Sequence, residues 1–384
     1  MGSLIGNLFV VLIILGCSAY QYQKSTFVKS FVAIVVSICA SVAAFGYFEL
    51  LGNIFISSKI LLGWAHSFSF ALLFILVFAV LQTAAIQLIR EPINFGLWPE
   101  RIGRVIFGLF LGLILSGLLF TTVAMSPLSA KYPYPRFDER SPDPETPKKV
   151  LLNVDGFATG WFSMISKGSF SGKRSFAVLH PAFLDQLFLN RNGVNYDVPI
   201  IAGPDAIKIP QKAVWLAPED LKDSDGNPVQ PKSGYGLTIV RAGITGSAEG
   251  DGKFSLSQLR LVCKKKEDDK NPFAGKGKSI YPVGYLKSAN ELQMKNLDDH
   301  IQIASSDIDF VFYVPDDYIP ILIEFRQNGI CQLPPPISYD QSPAAEEELA
   351  KKLEEQKRAE EKAKEEAEKK AKEKETVEPN KPQE

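Results

Sequence analysis

Apolar residues run almost unbroken through the first third of this chain and then give way to short, interrupted clusters. Leu4 to Tyr20 is apolar apart from Asn7 and a few small side chains, Phe31 to Leu51 and Ile60 to Ile89 are longer, and a fourth run extends from Val105 to Met125. Each meets the roughly 17-residue lower limit for a helix that crosses a bilayer. The pattern predicts a membrane α-helical bundle of four transmembrane helices over residues 1–126. Small residues recur at helical spacing inside it: Ala33, Ser37 and Ser41; Gly63, Ser67 and Ala71; Gly108, Gly112 and Ser116. Lipid supplies no hydrophobic drive between helices, so stripes along which backbones approach closely predict the packing faces. The first run has a second reading, because Ile14-Leu15-Gly16-Cys17 is similar to a lipoprotein cleavage site. No Lys or Arg precedes it, as the n-region of a signal requires.

Beyond Met125 the pattern changes twice. Residues 127–147 carry Pro127, Pro133, Pro135, Pro142, Pro144 and Pro147 among polar neighbours, which disfavours helix and sheet and predicts an extended linker lifting the next unit off the membrane. Over 148–338 the apolar runs are short and bounded by turn residues such as Asp251-Gly252, with a Lys- and Gly-rich stretch around Gly275 and Gly277. Ile308, Phe310, Phe312 and Val314 alternate with Asp309, Val311 and Tyr313, as in a half-buried strand, and Ile321, Ile323 and Phe325 alternate again after Pro320. Leu237 to Ile244, Leu256 to Cys263 and Ser279 to Leu286 are further strand candidates. One helix is predicted after Pro181, burying Phe183, Leu184, Leu187 and Phe188. The expectation is a β-rich, sandwich-like soluble domain with a helical elaboration in its first half.

Residues 344–377 are almost wholly Ala, Glu, Lys and Arg, strong helix formers. Glu347 and Lys351, Glu354 and Arg358, Glu360 and Lys364, Glu365 and Lys369, and Glu368 and Lys372 stand at the favourable spacing. Only Leu349 and Leu353 are large enough to start a coiled-coil seam, so a solitary charged helix or a disordered tail is expected, ended by Pro379 and Pro382.

The net charge of −1 and mean hydropathy of +0.02 average an apolar third with a charged tail and describe neither. No basic patch with interleaved aromatics supports nucleic-acid binding. Orientation follows the cations: none precedes the first helix, Lys24 and Lys29 follow it, the second loop has Lys59, and the third has Arg90, Arg101 and Arg104 with Trp98 at the interface. This predicts an outward amino terminus and an extracytoplasmic soluble domain, although Lys131, Arg136 and Arg140 follow the last span.

Candidate chemistry is sparse. Glu49, His66 and Gln82 are polar groups inside the spans, where ionisable residues are expensive; snorkelling or local hydrogen bonding and a proton or ion path are the competing readings. Cys17 and Cys39 lie in the spans, whereas Cys263 and Cys331 could pair in an oxidising compartment. With three histidines, no metal-ligand spacing appears, and no cofactor motif or nucleophile elbow is present. Asp298-Asp299-His300 reads as a solvated turn, and Ser166-Lys167-Gly168-Ser169 with Ser171-Gly172-Lys173 as a basic, hydroxyl-rich loop that an anion could meet.

A charged turn, Glu100-Arg101, leads into Phe107-Gly108 and Gly112, and the first hairpin reads Ser25-Thr26-Phe27-Val28-Lys29. With four spans, this resembles the colicin V production protein family of bacterial inner-membrane proteins. Arg104 stands where that family has a glycine, and Leu111 where it has an arginine. The resemblance covers about the first 125 residues and implies a protein of the inner membrane connected with toxin production or export, or with the state of the cell envelope. It implies no catalytic residues. The expectation is a non-enzymatic scaffold with the lipid bilayer and an envelope protein as partners; the alternatives are a small transporter or channel using Glu49 or His66, and a membrane-tethered enzyme.

Overall fold

The computed structural model describes residues 2–89, 95–138, 140–167, 175–192, 198–245, 252–266, 271, 273–303 and 307–375, with side chains to 367. Arg90, Asp251, Gly168 to Lys173, Pro379 and Pro382 lie outside the described residues, as do the side chains of Glu368, Lys369 and Lys372. Four helices are long and apolar enough to cross a membrane: Gly2–Lys24 (α1), Phe27–Ser57 (α2), Ala65–Leu88 (α3) and Leu97–Ala124 (α4). The pairs in closest association are α1 with α4 and α2 with α3, while α2 also packs on α4.

The glycine stripe explains the first pair. A methyl group on Gly108 would lie 2.5 Å from the Ser18 Cα, and one on Gly112 would lie 2.6 Å from the Ile14 Cα. Helix backbones meet there, which only glycine permits. Ser116 is fully buried on the same face, and Ala33, Ser37 and Ser41 are buried on α2. The third stripe differs: Gly63 falls in a 3-10 turn, Leu62–Trp64, ahead of α3 and against Pro127. Ser67 and Ala71 line a shallow groove beside the end of α4 instead of an interhelical seam.

The proline-rich segment is packed, not free. Tyr134 is 1% exposed, its ring 6.3 Å from that of Phe120 and 5.3 Å from that of Phe188. Proline prevents regular structure but leaves the aromatic residues between prolines able to anchor the chain. Three helices follow: Val154–Ser166 (α5), Phe176–Leu179 (α6) and Phe183–Asn190 (α7). The sequence indicates α7, whose Phe183, Leu184, Leu187 and Phe188 are all buried, but not α5. Helix α5 is laid directly on the bundle, since a methyl on Gly117 of α4 would meet the Val154 carbonyl oxygen at 2.2 Å. Phe45 and Phe48 of α2, Phe70 of α3, Phe120 of α4, Phe162 of α5 and Phe183 of α7 belong to one apolar cluster. Bundle and sheet domain therefore share a core.

The strands are Ile207–Lys208 (β1), Val214–Leu216 (β2), Lys222–Asp223 (β3), Tyr235–Ile244 (β4), Lys253–Ser255 (β5), Leu259–Lys265 (β6), Lys278–Ile280 (β7), Gly284–Ser288 (β8), Glu291–Met294 (β9), His300–Gln302 (β10), Ile308–Pro315 (β11), Tyr318–Phe325 (β12) and Gly329–Gln332 (β13). They form a seven-stranded sheet in the order β1-β4-β11-β8-β9-β3 with β2 also on β4, a four-stranded sheet β13-β12-β6-β7, and the pair β10-β5. All pairings are antiparallel except β3 with β9.

Strand β11 is buried on both faces. Phe310 and Phe312 meet Leu261, Ile323 and Phe325 of the smaller sheet, while Val311 faces Trp215, Leu292 and Ala344. Strand β12 runs through Pro320, which the register shift between Pro320 and Leu322 accommodates. The charged tail is one helix, Pro343–Glu375 (α8), started by Ser342, whose hydroxyl accepts from the Ala345 N–H. Cys263 on β6 and Cys331 on β13 are free thiols, and β12 separates their strands, so the bridge that the sequence left open does not form.

Candidate functional site

The four-helix bundle and the sheets are joined by a chain of polar side chains, all buried except the first, Glu49, which is 34% exposed. It starts at Glu49 on α2, whose carboxylate lies 2.7 Å from Nε2 of His180. His180 follows α6 at a corner turned by Ala182 in the left-handed conformation, φ 55°. Nδ1 of His180 is 3.1 Å from Oε1 of Gln186 on α7, and the Gln186 amide donates to Glu324. Glu324 on β12 and Arg260 on β6 are direct cross-strand partners, with Nη2 of Arg260 2.5 Å from Oε2 of Glu324. Arg260 also donates to the Leu179 carbonyl at 2.6 Å and to the Ser279 hydroxyl at 2.8 Å, and that hydroxyl donates to the Pro181 carbonyl. The α6–α7 corner is thus held from both sides, by the membrane helix and by the sheet.

Burial decides the electrostatics of this chain. The His180 side chain is 2% exposed, and those of Arg260 and Glu324 are 3% each. Burial alone would pull the His180 imidazole below its ordinary range, but the adjacent Glu49 carboxylate outweighs it and holds the group above that range.

His66, at the start of α3, makes a second connection. It is 2% exposed, its Nδ1 is 3.3 Å from Oε1 of Gln327, and its ring meets that of Phe48 edge-on. A methyl on Gly52 would lie 2.5 Å from the His66 ring, so the glycine opens the space the imidazole fills. Gln327 sits in the β12–β13 turn with φ 63°. Gln82 is about 24 Å further along α3 and takes no part.

A parallel polar cluster lies beside the first. Tyr134 donates to Asp155 at 2.6 Å, and Arg136 donates to the Tyr134 hydroxyl at 2.8 Å and to Asp185 at 2.6 Å. Burial holds the Asp185 carboxyl above its usual range despite Arg136. Arg191 is fully buried against the Phe188 ring and donates to the carbonyls of Val123, Leu128 and Tyr132, closing the end of α4. With no carboxylate beside it among the described residues, burial pulls its guanidinium down to about 9. Between these clusters a cavity of about 500 Å³ is lined by Thr159, Ser163, His180, Asp185, Ser279 and Tyr281, among others. Among the described residues no group of three or more His, Cys, Asp or Glu side chains is placed to hold a metal.

The charged lead-in of α4 works at the opposite end of the bundle. Glu100 accepts from the Phe27 backbone N–H at 2.8 Å, supplementing the Thr26 cap of α2, and from Arg104 at 2.7 Å. Arg104 in turn donates to the Tyr22 carbonyl in the last turn of α1. The Phe27 ring nests on Gly103 and meets Phe107 at 5.0 Å, whereas Arg101 is exposed. The two sequence pieces that carry the family resemblance therefore touch. The sequence did not single out His180 as a site, and it missed Gln186, Arg260, Glu324 and Arg191. A lone charge inside an apolar strand, Arg260 in Leu259–Cys263 and Glu324 in Leu322–Phe325, is the signal that marks two of them.

No protein-family model, no curated protein and no solved structure matches the chain.

Proposed function

We propose that this protein is a non-enzymatic scaffold of the bacterial inner membrane, of the colicin V production type. In this reading the bundle holds a two-sheet sandwich and a charged helix on the extracytoplasmic side, where they meet an envelope protein. The observation that carries it is the commitment of Glu49 and His66 to His180 and Gln327 of the outer domain. Ionisable groups on an ion or proton path face the bundle interior or a water-filled cavity and follow one another through the span. Here they fasten two bodies together at one end. Lys24, Lys29, Arg101 and Arg104 cluster at the other end, which favours placing that end in the cytoplasm.

The test is reconstitution of the full chain into vesicles with an interior pH dye, alongside Glu49→Gln and His66→Gln. The scaffold predicts proton flux equal to that of protein-free vesicles in all three. Flux in the wild type that Glu49→Gln abolishes would establish the conduit instead. A cysteine placed at Leu353 should react with an impermeant maleimide in intact cells, and labelling only after lysis would reverse the orientation.

A further inference from the structure

Helix α5 divides its surface into three arcs. Val154, Ala158 and Phe162 are buried in the core shared with the bundle. Gly156, Thr159, Ser163 and Lys167 line the cavity of about 500 Å³. Phe157 and Met164 face outward, 46% and 61% exposed, with Trp161 half-buried between them. An apolar arc next to a polar one is the pattern of a helix lying in a membrane interface.

The depth of α5 in the bundle agrees. Its two ends meet Gly117 of α4 and Phe45 of α2. Counted from the basic end, Gly117 is about 20 Å above Arg104, and Phe45 about 24 Å above Lys29, at 1.5 Å per residue. Both levels fall inside a hydrocarbon layer of about 30 Å. Glu49 is about 30 Å above Lys29 on the same scale. His180, its partner, lines the cavity, so the cavity stands at the headgroup boundary.

Its lining is electropositive. Among the described residues the lining carries Arg136, Lys167, Lys276 and Lys278 against one carboxylate, Asp185, which Arg136 already engages, and the Lys278 ammonium lies over the rings of Tyr235 and Tyr318. Lys167, Lys276 and Lys278 have no carboxylate partner among the described residues. The Tyr281 hydroxyl is buried and, among the described residues, without a hydrogen-bond partner.

We propose that this cavity binds the anionic phosphate headgroup of a phospholipid whose acyl chains lie along Phe157, Trp161 and Met164. The inference requires the four helices to span a bilayer but does not depend on the scaffold reading. The lysines supply charge, Tyr281 an unused donor, and the exposed arc of α5 an apolar track.

The experiment takes the full chain from nanodiscs of phosphatidylcholine containing a minority of phosphatidylglycerol and counts the lipids retained by native mass spectrometry. Phosphatidylglycerol should be retained over phosphatidylcholine, and Lys276→Gln and Lys278→Gln should each lower that retention about fivefold. Tyr281→Phe, which preserves the ring, should lower it without moving the melting temperature. Phe157→Ser with Met164→Ser should also lower it. Equal retention of the two lipids, or a double lysine variant that holds phosphatidylglycerol like the wild type, would overturn the assignment. So would inorganic phosphate displacing the lipid while the Phe157→Ser/Met164→Ser variant binds normally, since the ligand would then be a free anion. Benzophenone photo-crosslinking from position 75 on α3 to lipid reports spanning separately, so failure of insertion is distinguishable from failure of the site.

Discussion

The two ends of the helical bundle are both closed by charged side chains, yet they are built on different physical terms. At the basic end, Glu100 and Arg104 keep part of their surface exposed, 14% and 24%, and reach backbone groups on adjacent helices. At the sheet end, Arg260 and Glu324 are almost wholly desolvated and reach α2 through Gln186 and His180. A cap at a solvated edge contributes about 1 kcal/mol. A desolvated pair adds little over apolar packing, but removing half of it strands the other charge. The sheet end is therefore where single substitutions do most harm.

The largest expected effect follows from that contrast. Glu324→Ala should cost about 3–5 kcal/mol, because Arg260 would remain buried without its counter-charge. Replacing both by Met should recover much of the loss. Thermal melting of the solubilised full chain, followed by tryptophan fluorescence, measures both. A loss below about 1 kcal/mol for Glu324→Ala would mean that the pair is hydrated and the two ends are alike.

The junction also depends on close backbone approach. Gly117→Ala puts a methyl 2.2 Å from the Val154 carbonyl oxygen, and neither backbone can yield cheaply. The expected loss is about 1–3 kcal/mol. Gly46→Ala, with nothing within 4 Å, should leave the melting temperature unchanged and serves as the control.

The same contrast governs what the sequence disclosed. The four spans, the Gly108 and Gly112 seam, helix α7 and the charged α8 were all legible, because each rests on local periodicity or on spacing within one helix. The basic end was legible in part, since Glu100, Phe107 and Phe27 lie in pieces that already stood out. The sheet end was not. Glu49 and His180, like His66 and Gln327, are far apart in sequence and meet only once the sheet is folded onto the bundle. Helix α5 was missed because its buried positions include Asp155, Thr159 and Ser166 while Phe157 and Met164 point outward, an inversion of the soluble pattern. The third small-residue stripe failed because Gly63 precedes its helix, which spacing alone does not reveal.

A smaller effect separates the ends by pH. His180 titrates above its ordinary value of 6.5; burial opposes this, Glu49 and Glu324 promote it, and Arg260 opposes it. A raised folded value means that the protonated imidazole contributes fully below about pH 6.5 and is lost as pH rises through the folded value. Melting temperature should therefore fall on the alkaline side of 6.5, and Glu49→Gln should flatten most of that slope. Glu100→Gln, at the other end, should lower stability by about 1 kcal/mol without changing the slope. A wild type whose stability is flat between pH 6 and 9 would remove the charged form of the Glu49–His180 pair from the account.

The smallest effect is expected where charge is most abundant. Among the described side chains of α8 only those at its base are tied down: Ala344 is 3% exposed, Glu346 pairs with Lys212, Glu347 with Arg241, and Glu348 accepts from Tyr339. From Lys351 to the last described side chain every residue is exposed, including Leu353. Exposed ion pairs at helical spacing contribute only about 0.2–0.5 kcal/mol each, and they stabilise the helix that contains them, not the domain beneath it. Truncation after Glu355 should then leave the melting temperature of the rest unchanged, while Arg241→Ala, which releases Asp309 and Glu347 together, should lower it measurably. If truncation alone cost more than about 1 kcal/mol, the tail would have to pack on the domain, and solvation would no longer explain why some charges of this protein matter and others do not.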